Sequence, residues 1–120
     1  MKRIKDEFFK KLIGAISLSD KEVLEVGCGE GTRSQDIASA CKFLFGIDPN
    51  EFDINAARER NIPNALFNQG SAEHLAFDDN SVDIVLFTLS FHHVPKELMQ
   101  QSIDEALRGL KPEGYVVFLE

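Results

Sequence analysis

The stretch of sequence that decides the fold runs Val23-Leu24-Glu25-Val26-Gly27-Cys28-Gly29-Glu30-Gly31-Thr32. An apolar run ends at three glycines spaced two residues apart, so the stretch predicts a strand, a tight turn and the beginning of a helix. Glycines carry no Cβ, so we expect the backbone N–H groups of this turn and the helix start to face a bound nucleotide-like molecule. Thr32 and Gln35 fit a capping box, which predicts that the helix begins at Thr32.

The rest of the chain alternates between short apolar runs and helical patterns. A stripe of apolar residues recurring every four residues predicts an N-terminal helix within 1–18. Further helices are predicted at 32–40, 50–60 and 95–110, with one helical turn at 71–75, and further strands at 42–48, 65–68, 82–89 and 115–119. This alternation predicts one α/β domain over residues 1–120, a doubly wound parallel sheet with helices on both faces.

Composition excludes several classes of function. The net charge of −7 disfavours nucleic acid as a partner, because neutralising phosphates needs a basic surface. No segment approaches the ~20 apolar residues of a membrane span, and the N-terminus has no signal-peptide pattern. Cys28 and Cys41 lack C-x-x-C spacing and three histidines are scattered, so we expect no metal site. These features predict a cytoplasmic protein that acts away from membranes.

The glycine spacing separates two kinds of cofactor site. A dinucleotide fingerprint, G-x-G-x-x-G, would need a third glycine where Thr32 stands. The sequence instead has G-x-G-x-G with Glu25 two residues before the first glycine, which resembles motif I of the class I S-adenosylmethionine-dependent methyltransferases. Four further segments resemble that family in order, namely Gly46-Ile47-Asp48-Pro49, Gly70-Ser71-Ala72-Glu73, Val82-Asp83-Ile84-Val85-Leu86-Phe87-Thr88 and Leu107-Arg108-Gly109-Leu110-Lys111-Pro112-Glu113-Gly114-Tyr115. The similarity covers about residues 20–120.

The resemblance implies a Rossmann-like sheet with strand order 3-2-1-4-5. Ligands of such sheets lie at the carboxyl ends of the strands, where the strand order reverses, here between strands one and four. Full-length members of the family continue through another helix and strands six and seven, which this sequence lacks. Strand five would then be an exposed edge, so we expect either a fragment of a longer enzyme or a homodimer that covers this edge.

The resemblance also assigns roles to single residues. Asp48 matches the acid that binds both ribose hydroxyls, and Glu25 matches an acid near the methionine amino group; the alternatives are a helix-flanking acid and a surface acid. Ala72 and Glu73 match positions that line the adenine, and Ser71 stands where relatives more often carry Asp. The cofactor-binding residues implied are Glu25, Gly27, Cys28, Gly29, Asp48, Pro49, Ser71, Ala72, Glu73 and Thr88.

Two further segments are candidates for a functional role, one as a catalytic base and one as a lid. His93 follows strand four, where the family's methyl group meets its substrate, and could accept a proton as a catalytic base. Its alternative role is to close the pocket or to hydrogen-bond the backbone. The N-terminal helix within 1–18, through Phe8, Phe9 and Leu12, is a candidate lid over the cofactor, with core packing as the alternative.

These observations lead to three functional hypotheses. The first is a methyltransferase that moves a methyl group from S-adenosyl-L-methionine to a small-molecule acceptor, leaving S-adenosyl-L-homocysteine. The alternative is a cofactor-binding but catalytically incomplete module that acts with a partner chain. A nicotinamide-dependent oxidoreductase is disfavoured by Thr32 and by Glu25, because an acid suits a sulfonium and an ammonium better than a pyrophosphate.

Overall fold

The structure is a computed structural model that describes residues 7–88 and 94–119, with the side chains of 10–88 and 94–118. Its helices are α1 (Glu7–Ala15), α2 (Ser34–Ala40), α3 (Glu51–Glu59) and α4 (Met99–Gly109), and a 3₁₀ turn (Lys96–Leu98) precedes α4. Its strands are β1 (Glu22–Val26), β2 (Phe43–Asp48), β3 (Ala65–Gln69), β4 (Val82–Thr88) and β5 (Leu110–Leu119). No helix in these ranges is long and apolar enough to cross a membrane.

The five strands form one parallel sheet in the order β3-β2-β1-β4-β5. β1 lies in the centre, where Leu24 pairs with Phe45 of β2 on one side and with Val85 of β4 on the other. The strand order reverses between β1 and β4, so the chain leaves these two strands in opposite directions and a crevice forms at their carboxyl ends. The expected Rossmann-like order is confirmed.

Helices pack on both faces of the sheet. On one face, Val23 and Ile84 are fully buried against Leu12 of α1 and Ile37 of α2. On the other face, Leu24, Val26, Val85 and Phe87 pack around Ala106 of α4. Alternate residues of each central strand therefore enter opposite cores, as a strand covered on both faces requires.

The N-terminal helix contributes to this core. Leu12 has no exposed surface and packs in the cluster beneath α2, which is the core-packing alternative for that residue. Asn50 caps α3 as expected, since its side-chain oxygen accepts a hydrogen bond from the Asp53 N–H at 3.1 Å.

The prediction that α2 begins at Thr32 was wrong. The helix begins at Ser34, and Arg33 stands at its N-cap without a side-chain cap hydrogen bond. The Thr32 hydroxyl is instead 3.5 Å from Glu30 Oε1 and accepts a hydrogen bond from Arg60 Nη2 at 3.2 Å. Thr32 therefore contacts Glu30 of the glycine turn and Arg60 at the end of α3, and it does not cap α2.

Two predicted boundaries also differ. Residues 71–75 form a turn closed by a bridge between Ser71 and His74, where a helical turn was expected. β5 begins at Leu110, before the expected start at Tyr115, because the chain pairs with β4 on both sides of an irregular bulge. Gly114 fits this bulge, since a Cβ there would lie 2.7 Å from the Asp83 carbonyl oxygen.

Candidate cofactor site

A cleft of about 450 Å³ opens at the carboxyl ends of β1, β2 and β4. A second hollow of about 310 Å³ lies beside it, and the two share Gly27 and Thr88 in their walls. The site therefore forms at the point where the strand order reverses, the place that ligands occupy in open parallel sheets.

The structure brings all ten expected cofactor-binding residues to these two hollows. The cleft is lined by Gly27, Asp48, Pro49, Ser71, Ala72, Glu73 and Thr88, and the second hollow adds Glu25, Cys28 and Gly29. His93 lies outside the described residues. It directly precedes Val94, a residue of the cleft wall.

The glycine turn has the backbone that its spacing demands. Gly27, Gly29 and Gly31 have φ values of 84°, 56° and 85°, a region that side chains with a Cβ rarely adopt. A Cβ on Gly29 would meet no atom within 4 Å, whereas a Cβ on Gly31 would lie 3.1 Å from the Arg60 side chain. Gly29 lines the second hollow, and its positive φ disfavours a side chain there.

The turn was expected to direct its backbone N–H groups at a ligand, but three of them bond to the protein itself. Those of Gly27 and Cys28 donate to the Ile47 carbonyl at 2.8 and 3.0 Å, and that of Gly29 donates to Asp48 Oδ2 at 3.1 Å. A pyrophosphate would need such donors free, so this geometry is a poor cradle for a dinucleotide. The loop instead ties β1 to the end of β2 and orients Asp48.

Asp48 ends β2 with a partly exposed carboxylate in the wall of the cleft. Its Oδ1 accepts the Asn50 N–H at 2.9 Å, while its Oδ2 accepts the Gly29 N–H. Two backbone donors fix the carboxylate, and each oxygen retains a lone pair for a further donor such as a hydroxyl.

Glu25 is an acid buried at the base of the second hollow, with 1% of its surface exposed. Ser34 Oγ donates to its Oε1 at 2.5 Å and Thr88 Oγ1 donates to its Oε2 at 3.0 Å. Burial raises the pKa of Glu25 above its usual range, and the two hydroxyl donors oppose that rise. The alternative of a surface acid is therefore wrong.

Burial also raises the pKa of the Cys28 thiol, with the negative charges of Glu25 and Asp48 adding to the effect. Cys28 is therefore a neutral thiol in the site and no nucleophile. Its sulfur packs near Gly46, where a Cβ would lie 3.1 Å from it.

The loop Gly70–Phe77 closes the other side of the cleft and is held by α4. Gln101 Nε2 donates to the Glu73 carbonyl at 3.0 Å, and Glu105 Oε1 accepts the Leu75 N–H at 2.9 Å. Arg108 donates to the carbonyl oxygens of Leu75 and Phe77 at 2.9 and 2.6 Å. Three side chains of one helix thus set the position of Ala72 and Glu73.

Sequence reasoning missed several residues of the site. Ser34 is fully buried although polar, and Val94 and Pro95 form an apolar part of the cleft wall. The apolar Val94 next to His93 was a usable signal for that wall. Nothing in the sequence indicated that the Ser34 hydroxyl reaches Glu25, because that contact joins two elements.

The two hollows offer acidic groups to a ligand. Within residues 7–88 and 94–119, no three His, Cys, Asp or Glu side chains come together in a group that could hold a metal. The site offers an acid at the base of one hollow, an acid in the wall of the other, and a glycine on which a Cβ would meet no atom within 4 Å.

Comparison with known proteins places this geometry in a family. Residues 24–118 match the family described as methyltransferase domain. The chain is 36% identical over 112 residues to phthiotriol/phenolphthiotriol dimycocerosates methyltransferase 1 of Mycobacterium ulcerans, covering 88% of this chain and 39% of that protein. It is 32% identical to the fatty-acid O-methyltransferase of Mycolicibacterium smegmatis, covering 100% of this chain and 44% of that protein. The chain thus spans about two fifths of the length of these curated relatives.

A solved structure agrees on the fold. Phosphoethanolamine N-methyltransferase 1 of Haemonchus contortus, in complex with phosphoethanolamine and S-adenosylhomocysteine, superposes with a TM-score of 0.83 at 24% identity. The match covers 92% of this chain and 24% of that one. Fold, ordered motifs and family match agree, and the chain belongs to the methyltransferase-domain family, within the class I S-adenosylmethionine-dependent methyltransferases.

Proposed function

We propose that this chain is the S-adenosyl-L-methionine-binding part of an enzyme that methylates a small-molecule acceptor. The observation that carries the proposal is the convergence of Glu25, the open space at Gly29, Asp48 and Ala72 on two adjoining hollows. The named relatives methylate lipids, so lipids are the first acceptors to test. A cytoplasmic location stays a prediction.

We assign a role to each residue of the site from its charge and its position. Asp48 would bind the ribose hydroxyls, Ala72 and Glu73 would line the adenine, and Glu25 would attract the amino group of the methionine moiety. Bound S-adenosyl-L-methionine would supply a methyl group on a cationic sulfonium, a centre that nearby carboxylates favour. The protein's remaining task is to hold donor and acceptor in line and to exclude water.

His93 is our proposed catalytic base. Its place in the sequence, after β4 and directly before Val94 of the cleft wall, supports this role. A neutral imidazole could take the proton that an oxygen or nitrogen nucleophile loses. We expect His93→Ala to lower turnover while leaving the affinity for S-adenosylhomocysteine unchanged, and equal turnover would remove His93 from the mechanism.

Calorimetric titration tests the cofactor assignment. We expect S-adenosylmethionine and S-adenosylhomocysteine to bind and NAD not to bind. Transfer of a labelled methyl group to a panel of fatty acids and other small acceptors then tests the activity, in this chain and in any longer form. NAD binding without adenosyl binding would contradict the proposal.

The alternative is a module that binds the cofactor and needs a partner chain for catalysis. The exposed side of β5 favours it, since Tyr115 and Phe118 keep 55% and 42% of their surfaces exposed. We propose that a second copy of the chain covers this edge. Sedimentation should then show a concentration-dependent dimer that Tyr115→Lys weakens and that Phe52→Lys, on exposed α3, leaves intact. A single chain at every concentration would rule the homodimer out.

A further inference from the structure

Both oxygens of the buried Glu25 carboxylate are held by hydroxyl groups from other elements. Ser34 lies in the first turn of α2 and Thr88 ends β4, while Glu25 lies in the central strand β1. The donor–acceptor distances are 2.5 Å from Ser34 and 3.0 Å from Thr88. The Glu25 carboxylate therefore links β1, α2 and β4 where they meet at the crevice.

The Ser34 hydroxyl donates to Glu25 Oε1, and the single hydrogen of the Thr88 hydroxyl has two acceptors within reach, Glu25 Oε2 and the Gly27 carbonyl. Thr88 Oγ1 also lies 3.3 Å from the Gly27 carbonyl, a longer distance than its 3.0 Å to Glu25. A carboxylate that receives one hydroxyl on each oxygen still has lone pairs for a further donor. Glu25 lines the second hollow, where such a donor can reach it.

The charges around Glu25 act in opposite directions. Burial is the largest influence and favours the protonated acid, and the charge of Asp48 adds to it. The hydroxyls of Ser34 and Thr88 and the charge of Arg33 favour the carboxylate. Glu30 and Arg33 line the second hollow together with Cys28, and burial raises the pKa of the Cys28 thiol. Burial therefore outweighs the groups that favour the carboxylate, and the pKa of Glu25 lies above its usual range.

We propose that Ser34 and Thr88 are positioning residues that keep Glu25 oriented and ionised for the amino group of the cofactor, which makes cofactor affinity depend on pH. The inference rests on the proposed function. It adds a residue, Ser34, that no motif indicates, and it assigns Thr88 a task beyond lining the cleft. Because an ammonium pairs with a carboxylate and not with a carboxylic acid, protonating Glu25 must weaken binding.

The test compares two nucleosides that differ in the part that would reach Glu25. S-adenosylhomocysteine carries the amino acid moiety, and 5′-methylthioadenosine lacks it. Calorimetry between pH 5 and pH 8 should show weaker S-adenosylhomocysteine binding as pH falls, with methylthioadenosine affinity unchanged. Ser34→Ala and Thr88→Val should move the midpoint of that profile upward by about one pH unit, which is about tenfold in affinity below the midpoint.

Matched variants keep the result interpretable. Thr88→Ser retains the hydroxyl and should restore the wild-type profile, and Ser39→Ala removes a serine of α2 whose hydroxyl bonds the Asp36 carbonyl instead. If Ser34→Ala does not fold, the comparison of Thr88→Val with Thr88→Ser decides. Identical pH profiles in all variants, or equal losses for both nucleosides, would overturn the inference. Wild-type protein that binds neither nucleoside would overturn the proposed function itself.

Discussion

At the scale of single residues, Asp48 is where the cofactor assignment depends most on one side chain. Its carboxylate is held by the N–H groups of Gly29 and Asn50 and faces the cleft. We expect Asp48→Ala to weaken S-adenosylhomocysteine binding by roughly 1 to 3 kcal/mol, the effect of losing charged hydrogen bonds. Asp48→Asn should lose less because it keeps one acceptor oxygen. Unchanged affinity in a calorimetric titration of the alanine variant would remove Asp48 from the site.

Gly29 and Gly31 offer a matched pair of substitutions. Both have positive φ, so each change to alanine should cost about 1 to 2 kcal/mol of stability in denaturant unfolding. The new methyl group at Gly29, a residue of the second hollow, would meet no atom within 4 Å, while the one at Gly31 would face Arg60 and Ala57. We therefore expect Gly29→Ala to weaken cofactor binding several-fold more than Gly31→Ala does. Equal binding by the two variants would count against that hollow as a cofactor site.

The buried acid makes stability depend on pH. Because the pKa of Glu25 is raised in the folded state, the folded protein keeps a proton that the unfolded chain has lost once the pH rises above the ordinary range of a glutamate. The free energy of unfolding should therefore fall relative to that of Glu25→Gln as the pH rises from 4.5 toward the folded pKa. Denaturant unfolding of both proteins between pH 4 and pH 8 measures this. A difference that stays constant with pH would contradict the account.

At the scale of elements, α4 holds the loop that carries Ala72 and Glu73, two residues of the cleft wall. Arg108 bonds the Leu75 and Phe77 carbonyls and pairs with Glu105 at 2.8 Å and Asp79 at 2.9 Å. The hydrogen bond from Arg108 is the main reason that the pKa of Glu105 is lowered. The position of this part of the cleft wall thus depends on side chains of α4.

Arg108→Met should loosen that loop without unfolding the sheet. We expect faster hydrogen exchange at the Leu75 amide and an affinity for S-adenosylhomocysteine lowered by a few-fold, through the greater cost of ordering the loop. Gln100→Ala is the control, because Gln100 is exposed on the same helix and bonds Asp104 one turn away. Identical exchange in Arg108→Met and wild type would show that other contacts hold the loop.

The elements themselves were largely predictable from the sequence, because their patterns are local. The apolar run of β1, the Asn50 cap of α3 and the strand order that the resemblance implies all agree with the structure. The start of α2 and the bulge of β5 were not predictable, because each depends on a partner distant in sequence. Thr32 is engaged by Arg60, and residues 111–114 bulge against β4 beside Asp83.

The residues of the candidate site were partly predictable from the sequence, whereas several of the contacts between them were not. The family resemblance implied ten residues, and the structure brings them to two adjoining hollows, since the carboxyl ends of parallel strands meet there. The hydrogen bonds of the glycine loop to β2 and the contact of Ser34 with Glu25 could not be predicted, because each joins two different elements. The roles implied for the ten residues remain predictions, and binding measurements test them.

At the scale of the whole molecule, the sheet has the candidate cofactor crevice at the carboxyl ends of its strands and β5 at one edge. The crevice is built from β1, β2, β4 and the loops that follow β3 and β4, while β5 lies at one end of the strand order. The curated relatives are more than twice as long as this chain. Cofactor affinity should therefore be a property of this chain alone, and acceptor choice should depend on what covers its edge.

The central claim is that the glycine turn after β1 and the carboxylate that closes β2 hold an adenosyl sulfonium between them. A crystal structure with S-adenosylhomocysteine tests it most directly. We predict ribose hydroxyls within hydrogen-bond distance of Asp48, adenine against Ala72 and the amino group directed toward Glu25. Density for the adenosine at any other place, with the crevice between β1 and β4 empty, would contradict the account.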